Sequence, residues 1–186
     1  MKKFFLILLS GTLIFMSCQK DESTPELRYD GDQDNAPTLP VGTFDAGVRF
    51  PKNILDNFIG RTLNEVEFYI QDKPANVEVL IYGEGSATEP GPNLLYTQNV
   101  NSAVFAESWI SHTLSSPITI TNEDIWVVVR LVHTSDTRSI GCDVGPARTN
   151  GDWMLGEGET DWRTYRDISN GQVSVNWNIR AYLSEE

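Results

Sequence analysis

The chain has 186 residues, 40% of them hydrophobic, and a formal charge of −12 that becomes −14 if Lys2 and Lys3 depart with a leader. That charge repels phosphate backbones, which excludes nucleic acid as a partner, and it opposes simple adsorption to anionic lipid. The length suits one domain of ordinary size with a real core, and the two cysteines supply no disulfide framework.

The first residues read as an export leader. Lys2 and Lys3 precede an apolar run over 4–9, which continues over 13–16 to the small Ser17. This layout predicts a signal peptide over 1–17, too short and wrongly flanked for a spanning helix. The stretch LIFMSC (13–18), with Phe15 where Leu is usual, resembles a bacterial lipobox. The resemblance implies that Cys18 is acylated and becomes the first residue of the mature protein, anchoring it to a membrane. Cys142 then has no partner, so stability must come from packing. Gln19-Lys20-Asp21-Glu22 resembles the Lys-plus-acidic export signal of Bacteroidetes surface lipoproteins. That implies display on the outer face of the outer membrane, with Lys20, Asp21 and Glu22 as the signal; the other reading is a solvated charge cluster.

Residues 18–41 are polar, contain Pro25, Pro37 and Pro40, and lack a hydrophobic period, so they are expected to form a flexible acidic tether. Within them Asp30-Gly31-Asp32-Gln33-Asp34-Asn35 has the alternating oxygens of a calcium loop. The Gly and Glu that such a loop needs at its sixth and twelfth positions are Asn35 and Val41, which leaves an acidic linker.

From residue 42 to 186 the pattern is that of one β domain. A short helix is expected first, with Asn53 as its cap, Ile54, Leu55, Phe58 and Ile59 as its apolar face and Gly60 as its stop. Val66, Phe68 and Ile70 then alternate with Glu65, Glu67 and Tyr69, and Val77, Val79 and Ile81 with Glu78, Leu80 and Tyr82. A period of two marks half-buried strands, and Asp72-Lys73-Pro74-Ala75-Asn76 supplies the turn between them. Further strands are expected over 94–100, 109–114, 125–134 and 173–183. The run 125–129 is apolar on both faces, as a covered central strand would be. Many strands, short turns and one small helix predict an all-β fold, an antiparallel β-sandwich.

The series AGVRF (46–50), LNEVEFYI (63–70), NVEVLIYG (76–83), LLYTQNV (94–100), SSPITI (115–120), DIWVVVRL (124–131), GCDVGPA (141–147), GDWM (151–154) and NWNIRAYL (176–183) resembles a jelly-roll-like module of Bacteroidetes surface proteins. That module occurs alone on lipoproteins and appended to secreted peptidases and adhesins. The resemblance implies a noncatalytic accessory or adhesion module, and it carries over no ligand and no catalytic residue.

Enzyme chemistry finds little support. The sequence has no GxSxG elbow, HExxH pair, P-loop or GxGxxG fingerprint. His112 and His133 are in phase with apolar neighbours and read as structural. Glu157, Glu159 and Asp161 lie in a Gly-rich loop, read as solvated, with weak calcium binding as the second reading. Cys142, among apolar neighbours, reads as a small buried hydrophobe. No cofactor or metal site is expected beyond that.

Aromatic residues offer one candidate binding surface. Trp109, Trp153 and Trp162 read as structural plugs and Trp177 as core. Trp126, Tyr69, Tyr82 and Tyr182 have parity opposite to the apolar set of their strands. On a shared sheet they would form a platform flanked by Glu67, Arg130, Asn178 and Arg180, suited to stacking on sugar rings. Alternatively, loops cover this face and the rings form a second apolar layer, which the lack of any readable sheet order favours. The function expected is a surface-exposed, lipid-anchored binding or adhesion module, with glycans as one ligand class. The alternatives are a structural component of an outer-membrane or surface assembly and a hydrolase with a dispersed active site.

Overall fold

A computed structural model describes residues 25–185. The leader, Cys18 and the Lys20, Asp21 and Glu22 signal lie outside the described residues.

The chain folds as an antiparallel β-sandwich. In chain order the elements are β1 (Glu26–Arg28), β2 (Gly42–Phe50), α1 (Lys52–Leu55), β3 (Thr62–Ile70), β4 (Asn76–Gly85), β5 (Pro90–Asn99) and β6 (Ser108–Thr119). Then follow β7 (Ile125–His133), β8 (Trp153–Leu155), β9 (Arg163–Thr164), α2 (Tyr165–Ile168) and β10 (Ile179–Leu183). One sheet has the order β1-β10-β3-β6 and the other β5-β4-β7-β2-β8-β9. The all-β sandwich expected from alternation is therefore present.

The core follows from the period of two. Across the six-stranded sheet, Val127 lies opposite Val48 and Ile81, Val129 opposite Ala46 and Val79, and Leu131 opposite Phe44 and Val77. These meet Val66, Phe68, Ile70, Ile179 and Leu183 of the other sheet in one cluster. Burying each such side chain contributes about 1.5–3 kcal/mol, so packing alone can hold a fold whose one described cysteine is free. β7 is flanked on both edges, and its residues 125–129 are all buried, as the doubly apolar run predicts.

The expected tether is the main correction. From Pro25 onward it belongs to the domain: β1 pairs with β10, and Leu27, Tyr29, Ala36 and Leu39 are buried. The Asp34 and Asn35 amides donate to the Cys142 carbonyl, and Leu39 exchanges amide bonds with Thr137. Asp30 is no part of a solvated linker or calcium loop. It is buried, accepting from Asn178 Nδ2 at 2.9 Å and from Arg180 Nη2 at 2.9 Å. Single apolar anchors separated by polar residues carry no local period, and their partners, such as Phe50 for Tyr29 and Thr137 for Leu39, lie outside any local window.

Three smaller differences follow from caps and chain direction. Asn53 sits inside α1, whose N-cap is Pro51, and only Leu55 of the expected apolar face is fully buried. A second four-residue helix, α2, is capped by the Thr164 side chain accepting from the Asp167 amide. The expected strand over 173–183 is reduced to β10, because residues 174–178 bond instead to the 141–151 segment.

The registers define two ends. One carries Pro25, residues 51–61, residues 119–124 and the end of β10; the Ile120 carbonyl accepts from Gly60 there and the Thr62 carbonyl from Ser184. The other carries residues 38–42, 71–76, 100–107 and 134–144.

Candidate functional site

The outer face of the six-stranded sheet brings three of the five expected ligand contacts together. Register aligns three rows across β4, β7, β2 and β8: Tyr82, Trp126 and Arg49; Leu80, Val128, Gly47 and Trp153; and Glu78, Arg130, Asp45 and Leu155. Trp126 itself is not a platform. It is 0% exposed, with its ring centroid 5.5 Å from that of Trp153 and 5.7 Å from that of Trp162. It forms the second apolar layer that sequence parity left as the alternative. Trp162, half-buried at the end of the 156–162 loop, packs over Gly47 and closes this layer.

Beside this tryptophan cluster lies an open groove of about 280 Å³ bordered by Thr43, Asp45, Arg130, Leu155, Gly156 and Glu157. Its floor is a two-pronged ion pair, with Arg130 Nε and Nη2 each donating to an Asp45 carboxylate oxygen at 2.7 Å. Asp45 is buried while the Arg130 side chain keeps about a third of its surface, so the guanidinium is fixed and still faces the groove. The hydrogen bond to Asp45 raises the Arg130 pKa further, so this charge is permanent. Tyr82 adjoins it, its phenol pKa raised by burial and then by the Asp45 charge, which keeps the hydroxyl protonated. The Glu157 carboxylate closes one wall by accepting from the Thr43 amide at 2.6 Å. Such a groove offers fixed donors, acceptors and an adjacent ring to a polar ligand with apolar faces.

Tyr69 and Tyr182 are on the other sheet, so the expected single platform does not exist. Equal parity does not put two strands in one sheet. Tyr69 packs edge-on against Trp109, with centroids 5.6 Å apart, and Arg180 lies 3.9 Å above the Trp109 ring. Tyr182 donates to Glu67 at 3.0 Å, and Arg180 also pairs with Asp30, Glu26 and Glu67. Asn178 is fully buried. On this face the charged groups pair with one another, while Asn178 Oδ1 is buried without a hydrogen-bond partner. Sequence reasoning missed Asp45 as the groove floor and Trp162 as its neighbouring ring. The available signal was Gly47, a residue without a side chain in the otherwise bulky strand FDAGVRF (44–50).

The other singled-out residues serve the fold. His133 is buried, its Nε2 is 2.7 Å from Ser139 Oγ, and burial lowers its pKa. Burial likewise lowers the pKa of His112, which lies 2.8 Å from the Tyr96 hydroxyl. Cys142 is buried, and burial, with the Asp143 and Asp34 charges, pushes its thiol up to about 12, which disfavours a nucleophilic thiolate. In the acidic loop Glu159 is engaged by Arg163 at 2.7 Å. Among the described residues no group of three or more His, Cys, Asp or Glu side chains is placed to hold a metal ion.

No protein-family model matches the chain, and no curated protein matches it in sequence. Solved structures do match. One holds the cysteine protease and lectin-like domains of Cwp84, a surface layer associated protein of Clostridium difficile, with TM-score 0.54 and 16% identity over 85% of this chain and 37% of that one. Another is the clostridial cysteine protease Cwp84 after propeptide cleavage, with TM-score 0.58 and 12% identity over 87% of this chain and 40% of that one. The chain thus spans about two fifths of the length of these structures, and at such identities the likeness is one of fold.

Proposed function

We propose that this chain is a noncatalytic binding module held at the cell surface by acyl chains on Cys18, with glycans as the ligand class of the Arg130 groove. The observation that carries the reading is the groove itself. A guanidinium–carboxylate floor lies open beside the loop that carries the half-buried Trp162, and the protonated Tyr82 phenol adjoins Arg130. Fixed polar groups bind hydroxyls, while rings stack on the apolar faces of sugars. The fold likeness to a structure that includes a lectin-like domain supports a binding role. The leader, the lipobox and the Lys20-Asp21-Glu22 cluster support anchoring in the outer membrane and outward display, as in Bacteroidetes surface lipoproteins.

A structural role in a surface assembly is the second reading. It draws on Phe105 and Val144, 68% and 75% exposed at the end away from Pro25. Titration with an oligosaccharide panel separates the two, since an assembly component needs no sugar. Intact mass of the purified protein tests the anchor: a mature chain beginning at acylated Cys18 is expected, and an unmodified Cys18 would overturn it.

A further inference from the structure

We propose that residues 51–61 rest on the lipid surface to which Cys18 is tethered, with Ile54, Phe58 and Ile59 as the contacting side chains. This rests on the reading of Cys18 as acylated. Pro25, which is already tied to β10, is only seven peptide steps from Cys18, a reach of at most about 25 Å even when fully extended.

Hydrogen bonds lead from that attachment point directly to the proposed contact. The Pro25 carbonyl accepts from the Leu183 amide at 2.9 Å, and the Ser184 amide donates to the Thr62 carbonyl at 2.7 Å. Arg61 Nη1 donates to the Ser184 carbonyl at 3.3 Å, and its guanidinium lies 5.6 Å from the Phe58 ring centre. At this end Ile54 is 37% and Ile59 53% exposed, around the half-buried Phe58. Residues 51–61 carry Lys52 and Arg61 against Asp56, a local positive balance in a strongly acidic chain. Asp124 is held by Arg49 and by the Lys52 amide, whereas Glu123 and Glu185 are exposed nearby. Those carboxylates oppose a broad electrostatic contact, so the contact is confined to the apolar tip.

A short tether makes a small apolar contact sufficient. It holds the tip near the lipid at an effective concentration of the order of millimolar, where a weak interfacial interaction is populated. The acyl chains supply the affinity and the tip supplies the orientation. Asp45 and Arg130 lie toward the opposite end of their strands, so this pose keeps the groove away from the lipid.

Hydroxyl-radical footprinting of the full acylated chain in phosphatidylethanolamine–phosphatidylglycerol vesicles tests the pose, with soluble Cys18→Ala protein as reference. Oxidation of Ile54, Phe58 and Ile59 should fall several-fold in vesicles, while Phe105 and Val144 react as in solution. Ile59→Asp should restore oxidation of Ile54 and Phe58 in vesicles with an unchanged melting temperature. Equal oxidation in both settings, protection that survives Ile59→Asp, or protection centred on Phe105 and Val144 would each overturn the docking while leaving the anchor intact. Absence of acyl mass on Cys18 would overturn anchor and docking together.

Discussion

Trp162 packs directly on Gly47: a β-carbon at that position would come within 3.0 Å of the Trp162 Cζ3 and 3.3 Å of the Val128 Cγ2. The missing side chain is what lets a loop indole reach the outer face of β2 and close the layer over Trp126. Gly47→Val should therefore push Trp162 outward, costing about 1–3 kcal/mol by overpacking. Acrylamide quenching of tryptophan emission should increase with it. Unchanged quenching and melting temperature would mean that the loop does not close this face.

Trp126 is a test of burial against display. As a fully buried ring between two indoles, its replacement by Ala should cost about 3–5 kcal/mol. For a domain of this size that lowers the melting temperature by about 6–20 °C. Its Nε1 is buried without a hydrogen-bond partner, so Trp126→Phe should cost much less. Equal melting of wild type and the Ala variant would contradict the second-layer assignment.

Most of the strand framework was legible because amphipathic strands announce themselves locally. Residues 66–70, 77–82 and 125–129 alternate or run apolar in a way that only the observed burial explains. The sheet order was not legible. Tyr82 and Tyr182 share a parity argument yet lie on different sheets, because pairing depends on partners far along the chain. The ordering of residues 25–39 was hidden for the same reason, since the Asp30 partners are Asn178 and Arg180. Of the residues around the groove, parity singles out Arg130 and Tyr82, whereas Asp45 and Trp162 emerge only once register is known.

That packing makes residues 25–39 essential to the domain. A chain beginning at Val41 loses β1 and the buried Leu27, Tyr29, Ala36 and Leu39, and leaves Arg180 without Asp30. It should aggregate or melt far below a chain beginning at Pro25. Thermal melts that coincide would restore the flexible tether.

Stability should depend on pH through the two histidines and Asp143. His133 and His112 have folded pKa values below the ordinary one, so the unfolded chain binds more protons. Their contribution is full above about pH 6.5 and is lost as pH falls through the depressed folded values. Burial raises the Asp143 pKa, but hydrogen bonds from the Asn176 amide and side chain and the Gly31 and Gly145 amides outweigh it and hold it low. Its contribution is therefore present above the usual carboxylate pKa and lost as pH falls through its own. Melting temperatures should decline from pH 7 to 5 and again below about pH 4. A profile flat down to pH 5 would contradict the histidine assignment.

The groove beside Arg130 is the centre of the functional reading, and calorimetric titration with an oligosaccharide panel addresses it most directly. Arg130→Lys keeps a charge next to Asp45 but loses the two-pronged fork, and Trp162→Ala removes the neighbouring ring. The wild type should bind at least one oligosaccharide, and each variant, folded by circular dichroism, should lose about tenfold or more in affinity, a difference of about 1.4 kcal/mol. An oligosaccharide bound equally by all three proteins, or none bound by the wild type, would contradict a glycan site in this groove.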